Sequence, residues 1–216
     1  MIDTYRHKGM RKRLVETIRA RNIIHDERIL DAIEKIPRHC FLDSSFVEYA
    51  YQDKPFPIGK DQTISQPTTV AIQTQLLEIK KYDRILEVGT GSGYQASVLY
   101  EMGARVFSIE RFKSLSVSAA KILRSLGYTG IKLFHGDGYK GLPGYAPFHK
   151  IIVTAGAPYL PEELLKQLKI GGMLVIPIGE SGTQIMKRYT KVSDTEIVEE
   201  EFGDFSFVPM LKNKQE

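Results

Sequence analysis

Apolar residues recur at three- and four-residue spacing in the first third of the chain. Leu14, Val15 and Ile18, then Ile29, Leu30 and Ile33, with charges between them, predict two amphipathic helices. Asp26 stands where it can cap the second, and Pro37 ends it. Residues 41–66 have no clean period and carry Pro55, Pro57 and Gly59, so an ordered loop is expected there. Pro67 then occupies a first helical position ahead of Val70, Ile72, Leu76, Leu77 and Ile79. From residue 84 the pattern changes to short, continuously apolar runs: Ile85–Val88, Val106–Ile109, Ile131–Phe134, Ile151–Thr154 and Met173–Ile178. Runs without polar alternation predict strands buried on both faces. Helices are expected between them, such as Ser114–Leu126 and Pro161–Leu168, the latter stopped by Gly171-Gly172. This alternation predicts an α/β fold with a doubly wound, mostly parallel sheet. Ile185–Tyr189 and Thr195–Phe202 predict a closing C-terminal β-hairpin.

Composition narrows the class. A 216-residue chain can bury a substantial core. The one cysteine, Cys40, excludes an internal disulfide, and no apolar run approaches the ~20 residues of a membrane helix. A soluble, cytoplasmic protein without membrane contact is expected. The net charge of +4 is matched by residues 1–40 alone, which hold ten basic and six acidic side chains. No aromatic residues interleave those basic ones, so a solvated helix face is expected rather than a nucleic-acid surface. His7, His25, His39, His135 and His149 share no metal-ligand spacing, so no metal is expected.

The chemistry concentrates at Glu87-Val88-Gly89-Thr90-Gly91-Ser92-Gly93, which follows a predicted strand and opens a helix. Such a loop lets backbone approach a ligand at the carboxyl edge of the sheet. A dinucleotide fingerprint needs glycine at the sixth position, occupied here by Tyr94, and no Lys-Ser or Lys-Thr follows to make a P-loop. Glu87 would repel a pyrophosphate and suits a cation. A ligand with an ammonium and a sulfonium but no phosphate, S-adenosylmethionine, answers these features. Glu110 ends the next strand, where ribose hydroxyls are held, and Asp137 in Gly136-Asp137-Gly138 ends the third, near the adenine end. Three acids at successive strand ends are expected to form one wall of a pocket. The same loop could also be a tight turn that binds nothing.

Several further segments join these. They are Ala50-Tyr51-Gln52-Asp53, Pro57-Ile58-Gly59, Gln62-Thr63-Ile64-Ser65-Gln66-Pro67, Ser108-Ile109-Glu110-Arg111, Ala146-Pro147-Phe148, Val153-Thr154-Ala155 and Phe207-Val208-Pro209. In this order the chain resembles the protein-L-isoaspartate (D-aspartate) O-methyltransferases from about residue 37 to Met210, most specifically through Gln62–Pro67. The resemblance implies a Rossmann-like, class I methyltransferase fold using S-adenosyl-L-methionine. It implies methylation of the α-carboxylate of L-isoaspartyl residues in damaged proteins and peptides, by a monomer. It places the active-site serine at Ser65. It places cofactor contacts at Gln62, Thr63, Ile64, Glu87, Gly89, Thr90, Gly91, Ser92, Gly93, Glu110, Arg111, Asp137 and Gly138, and substrate contacts at Ile58, Gly59, Ser65, Thr154 and Ala155. One domain over residues 1–216 is expected: helices and active-site loop to 66, a cofactor-binding core over 67–180, then hairpin and tail over 181–216.

The chain departs from the family at His149, where Asp follows Ala-Pro-Phe, at Lys60-Asp61, at Gly156, where alanine is common, and in the tail after Pro209, to which no cofactor role is carried. From position alone Ser65 also reads as a helix cap ahead of Gln66-Pro67. A methyltransferase acting on RNA or a small molecule is the alternative. Thr154-Ala155-Gly156-Ala157 lacks the proline-rich motif of many nucleic-acid amino-methylating enzymes. A relict, non-catalytic cofactor fold is the second alternative.

Overall fold

The computed structural model describes residues 2–180 and 182–216. Met1 and Ser181, which open the first and last stretches of the expected domain division, lie outside the described residues. Helix α1 (Tyr5–Ala20) starts at Thr4, whose hydroxyl accepts from His7 N, and buries Leu14, Val15 and Ile18. Asp26 caps α2 (Glu27–Lys35) through Arg28 N, and the chain turns extended at Ile36, ahead of Pro37. Both helices form as the periodicity predicts.

The stretch expected to be loop contains more structure than that. It holds short 3-10 turns and a hairpin of β1 (Phe56–Gly59) and β2 (Gln62–Ile64). Lys60 and Asp61 both take positive φ, 54° and 55°, at its tip. Two left-handed residues make the turn that matches strand twist, a position usually given to Asn-Gly. Strands this short leave no period to read, and the turn carries unexpected residues. Helix α3 (Pro67–Leu76) follows, with Pro67 in its first turn.

The remaining strands are β3 (Arg84–Val88), β4 (Arg105–Glu110), β5 (Lys132–His135), β6 (Phe148–Val153), β7 (Leu168–Ile178), β8 (Gln184–Lys191) and β9 (Ile197–Phe205). Helices α4 (Tyr94–Glu101), α5 (Lys113–Ser125) and α6 (Glu162–Lys166) connect strands of the parallel part. The seven strands form one sheet in the order β5-β4-β3-β6-β7-β8-β9. Pairs from β5 to β7 are parallel, and β8 and β9 close the sheet antiparallel, as the predicted hairpin. Helix α6 ends at Lys166, earlier than expected, and Gly171-Gly172 lie inside β7 rather than stopping the helix. Gly171 takes φ +76°, and the β6–β7 register slips just beside this point. The glycines therefore mark a bulge.

Ile85, Val106, Ile152 and Val175 belong to the larger core, with α1 to α4; Leu86, Phe107, Ile151 and Leu174 belong to the second, with α6. Burial on both faces is why these strands read as unbroken apolar runs. Strand order reverses at β3, between β4 and β6, so a crevice opens at its carboxyl end.

Candidate active site

Five glycine-loop residues turn the chain from β3 into α4 at that crevice. Gly89, Gly91 and Gly93 take φ of +100°, +51° and +90°, conformations that side-chain-bearing residues rarely adopt. At Gly89 a Cβ would lie 2.5 Å from Thr154 Oγ1. That hydroxyl donates to Gly89 O at 2.7 Å, so β6 holds the loop from beside it.

The crevice is a cleft in two parts. One, of about 490 Å³, is lined by Gln62, Thr63, Ile64, Ser65, Gly89, Thr90, Gly91, Ser92, Tyr94, Glu110, Thr154 and Ala155. The other, of about 440 Å³, is lined by Val88, Ile109, Arg111, Phe112, Gly138, Pro209, Met210 and Leu211. Gln62, Gly89, Glu110 and Ala155 line both. More polar residue types line the first part and more apolar ones the second, with one carboxylate at their boundary. Glu110 is held there by Gly91 N, which donates to Oε2, and Phe112 N, which donates to Oε1, both at 2.9 Å.

Most residues expected at the site therefore meet in one place, and several do not. Glu87 is fully buried and lines neither part. Ser108 Oγ donates to its carboxyl, and Thr90 Oγ1 lies 2.6 Å from Ser108 Oγ, so Glu87 supports the loop from below. Burial, reinforced by Glu110, pushes its carboxyl up to about 8. The expected wall of three acids is thus one acid. Asp137 is also turned away: Tyr139 N donates to Oδ1 and Asn213 N to Oδ2, both at 3.0 Å, while its neighbour Gly138 lines the cleft. Gly93 caps α4 against Leu123. Ile58 and Gly59 line an adjoining groove shared with Gly91 and Ser92.

Ser65 stands at the polar end, and its hydroxyl makes no hydrogen bond to another described residue. Its carbonyl accepts from Arg38 Nη2 at 2.9 Å. Arg38 is 1% exposed, with Nε donating to Ala50 O at 3.0 Å and its guanidinium 4.8 Å from the Tyr94 ring centroid. Burial pushes its pKa down, and among the described residues it pairs with no carboxylate. Sequence reading missed Arg38 because its partners are backbone carbonyls. It also missed the tail. Met210 and Leu211 line the apolar part, and the tail is tied down by Arg111, which donates to Asn213 O at 3.0 Å and Lys212 O at 3.2 Å.

The departures have local explanations. His149 Nδ1 accepts from Arg84 N at 3.0 Å at the strand start. At Gly156 a Cβ would lie 2.8 Å from Gln184 Cδ, so alanine there would require the Gln184 side chain to shift. His135 Nε2 stays on the backbone, 3.0 Å from Arg111 O and Gln215 O. Folding also gathers Asp3, His7 and His39, which sequence spacing could not show. The two imidazoles are stacked at 3.8 Å and Asp3 is forked by Arg11 at 3.1 and 3.0 Å. One ligand atom from each of the three lies within 4.8 Å of the others. Among the described residues no helix is long and apolar enough to cross a membrane.

A model of the protein-L-isoaspartate(D-aspartate) O-methyltransferase family matches residues 9–215. A protein-L-isoaspartate O-methyltransferase from Cytophaga hutchinsonii is 56% identical over 211 residues, 98% of this chain and 95% of that one. One from Christiangramia forsetii is 56% identical over 214 residues, 99% of this chain and all of that one. A crystal structure from Plasmodium falciparum, provisionally described as the same enzyme and in complex with S-adenosyl-L-homocysteine, superposes with a TM-score of 0.83. It is 28% identical, covering 94% of this chain and 99% of that one.

Proposed function

This chain belongs to the protein-L-isoaspartate(D-aspartate) O-methyltransferase family, and from that premise we propose how its own residues do the work. The enzyme moves a methyl group from S-adenosyl-L-methionine to the free α-carboxylate of an L-isoaspartyl residue in a damaged protein or peptide. The ester then closes to a succinimide, from which part of the damaged chain returns to aspartate; this is repair.

The residues of the cleft fit that cofactor. Glu110, clamped by two backbone amides, offers its remaining lone pairs to a ribose diol. Val88, Ile109, Phe112 and Met210 form an apolar slot suited to adenine, and at Gly138 a Cβ would lie 2.5 Å from Val88 Cγ1. Gln62, Thr63, Ile64, Thr90 and Ser92 face the methionine portion, and Arg111 borders the adenine end by holding the tail. When bound, S-adenosyl-L-methionine supplies an electrophilic methyl on a cationic sulfonium.

Ser65 donates its hydroxyl to one oxygen of the substrate carboxylate and leaves the other free to attack. No general base is required, because a carboxylate with a pKa near ~4 is already ionised at neutral pH. What the reaction needs is desolvation and alignment. Arg38 serves that need by fixing the Ser65 carbonyl from the protein interior. Ile58 and Gly59, in the adjoining groove, and Thr154 and Ala155, at the end of β6, hold the isoaspartyl backbone. The cleft takes walls from Gln62–Ser65, from the glycine loop and from Val208–Leu211, which supports one functional domain over the three stretches. A monomer in the cytoplasm completes the proposal; the single free thiol of Cys40 suits a reducing compartment.

The carrying observation is that the unengaged Ser65 hydroxyl shares one cleft with the glycine loop and Glu110. Labelled S-adenosyl-L-methionine tests it: base-labile label should enter an isoaspartyl peptide and not its aspartyl twin. Cofactor binding without transfer to the isoaspartyl peptide would refute the substrate assignment.

A further inference from the structure

The amino-terminal edge of the parallel strands, opposite the cleft, holds a second concavity of about 1100 Å³. Lys81, Arg84, Arg105 and Lys132 line it, at or just before the starts of β3, β4 and β5, and no acidic side chain does. Among the described residues none of these four cations forms an ion pair. Asp83, the neighbouring carboxylate, is buried, accepts from Lys80 N at 2.9 Å and does not line the groove. Arg84 and Arg105 are register partners on adjacent strands. Like charges side by side on a sheet repel, and the fold keeps them there without a counter-charge.

Aromatic rings stand between the cations. Lys81 Nζ and Arg105 Cζ lie 5.1 and 5.7 Å from the Tyr82 ring centroid, and Arg84 Cζ and Lys132 Nζ lie 4.9 and 5.2 Å from that of Phe107. Tyr82 is 59% exposed in this groove. This interleaving of basic and aromatic groups is assembled from three strand starts far apart in sequence.

We infer that this groove binds a single-stranded nucleic acid, its phosphates on the four cations and a base on the face of Tyr82. Single-strand sites combine a basic groove with a stacking ring. An acidic peptide would use the cations and leave the ring idle. The activity of the cleft is independent of this site, and methyl transfer therefore serves as the control for folding.

The test is fluorescence anisotropy of a labelled twelve-nucleotide oligouridine with the whole protein. With four phosphates neutralised, affinity should fall about 50-fold between roughly 50 and 200 mM salt. Arg105→Glu combined with Lys132→Glu should weaken binding at least about tenfold and flatten that salt dependence, with isoaspartyl methylation unchanged. Tyr82→Ala should weaken oligouridine several-fold and leave binding of a polyglutamate peptide as it was. No binding by the native protein at low salt would overturn the inference, as would full affinity in the charge-reversed variant. Equal loss of oligouridine and polyglutamate binding in Tyr82→Ala, or no loss of either, would also overturn it, in favour of an acidic protein partner.

Discussion

Replacing Glu87 by Gln should make the protein more stable at alkaline pH and change little at acidic pH. Glu87 is fully buried beneath the glycine loop, its Oε1 has no hydrogen-bond partner among the described residues, and its carboxyl is pushed from 4.5 up to about 8 by burial. An acid whose pKa is raised by folding binds its proton more tightly in the native state than in the unfolded chain. Its stabilising proton is fully present below the unfolded pKa and is lost as pH rises through the folded one. Between 4.5 and about 8 the native protein therefore loses stability at ~1.4 kcal/mol per pH unit from this group, on the order of 5 kcal/mol across the window. Gln keeps the shape and the neutral charge of the protonated acid and cannot ionise. Urea denaturation of both proteins without cofactor, at pH 5, 7 and 9, isolates Glu87 and its coupling to Glu110, because titrating groups not coupled to Glu87 cancel in the difference. The stability gap should widen in favour of Glu87→Gln as pH rises and level off above about 8. A gap that is the same at all three pH values would refute the burial argument.

Three other substitutions probe the loops around the cleft. Gly89→Ala puts a Cβ 2.5 Å from Thr154 Oγ1 at φ +100°; it should cost at least ~1–2 kcal/mol in stability, and calorimetric titration should find cofactor affinity reduced tenfold or more. Arg38→Met removes donors from the carbonyls of Ala50 and Ser65. Steady-state kinetics should show kcat/KM for the isoaspartyl peptide falling by about tenfold or more, equivalent to one lost charged hydrogen bond, with cofactor affinity changing much less. Asp61→Gly relieves a left-handed residue at the β1–β2 tip and should stabilise by about 0.5–1 kcal/mol, read as a melting temperature raised by roughly 1–4 °C.

The parts of this molecule that are legible in sequence are those whose signal is local. Strands β3, β4 and β6 stand out because each is sandwiched between two cores, so no polar alternation interrupts them. The glycine loop stands out because its conformation requires glycine at three positions. Glu87 and Glu110 look equivalent as acids at strand ends, yet only Glu110 reaches the cleft. Glu87 is level with Ser108 in the parallel register, two residues short of Glu110. Two residues of strand are about 6–7 Å, the difference between the floor and the wall of the cleft. Asp137 sits at the right strand end, but its oxygens are taken by backbone amides, one of them from the tail at Asn213. Contacts of that kind, like those of Arg38 and of Arg111 with the tail, run through backbone atoms. They leave no residue-type signature, which is why the tail carried no expected role although Met210 lines the cleft.

The role given to Ser65 is the centre of the account, and one variant tests it most directly. Ser65→Ala should be compared with the native protein in single-turnover methylation of an isoaspartyl peptide, with cofactor affinity measured in parallel. Loss of one hydrogen bond to a charged carboxylate predicts a rate lower by about 10- to 150-fold, from roughly 1.5–3 kcal/mol, with cofactor affinity within twofold of native. A native rate in the variant would contradict the positioning role, and complete loss of activity together with cofactor binding would make Ser65 a structural residue of the cleft instead.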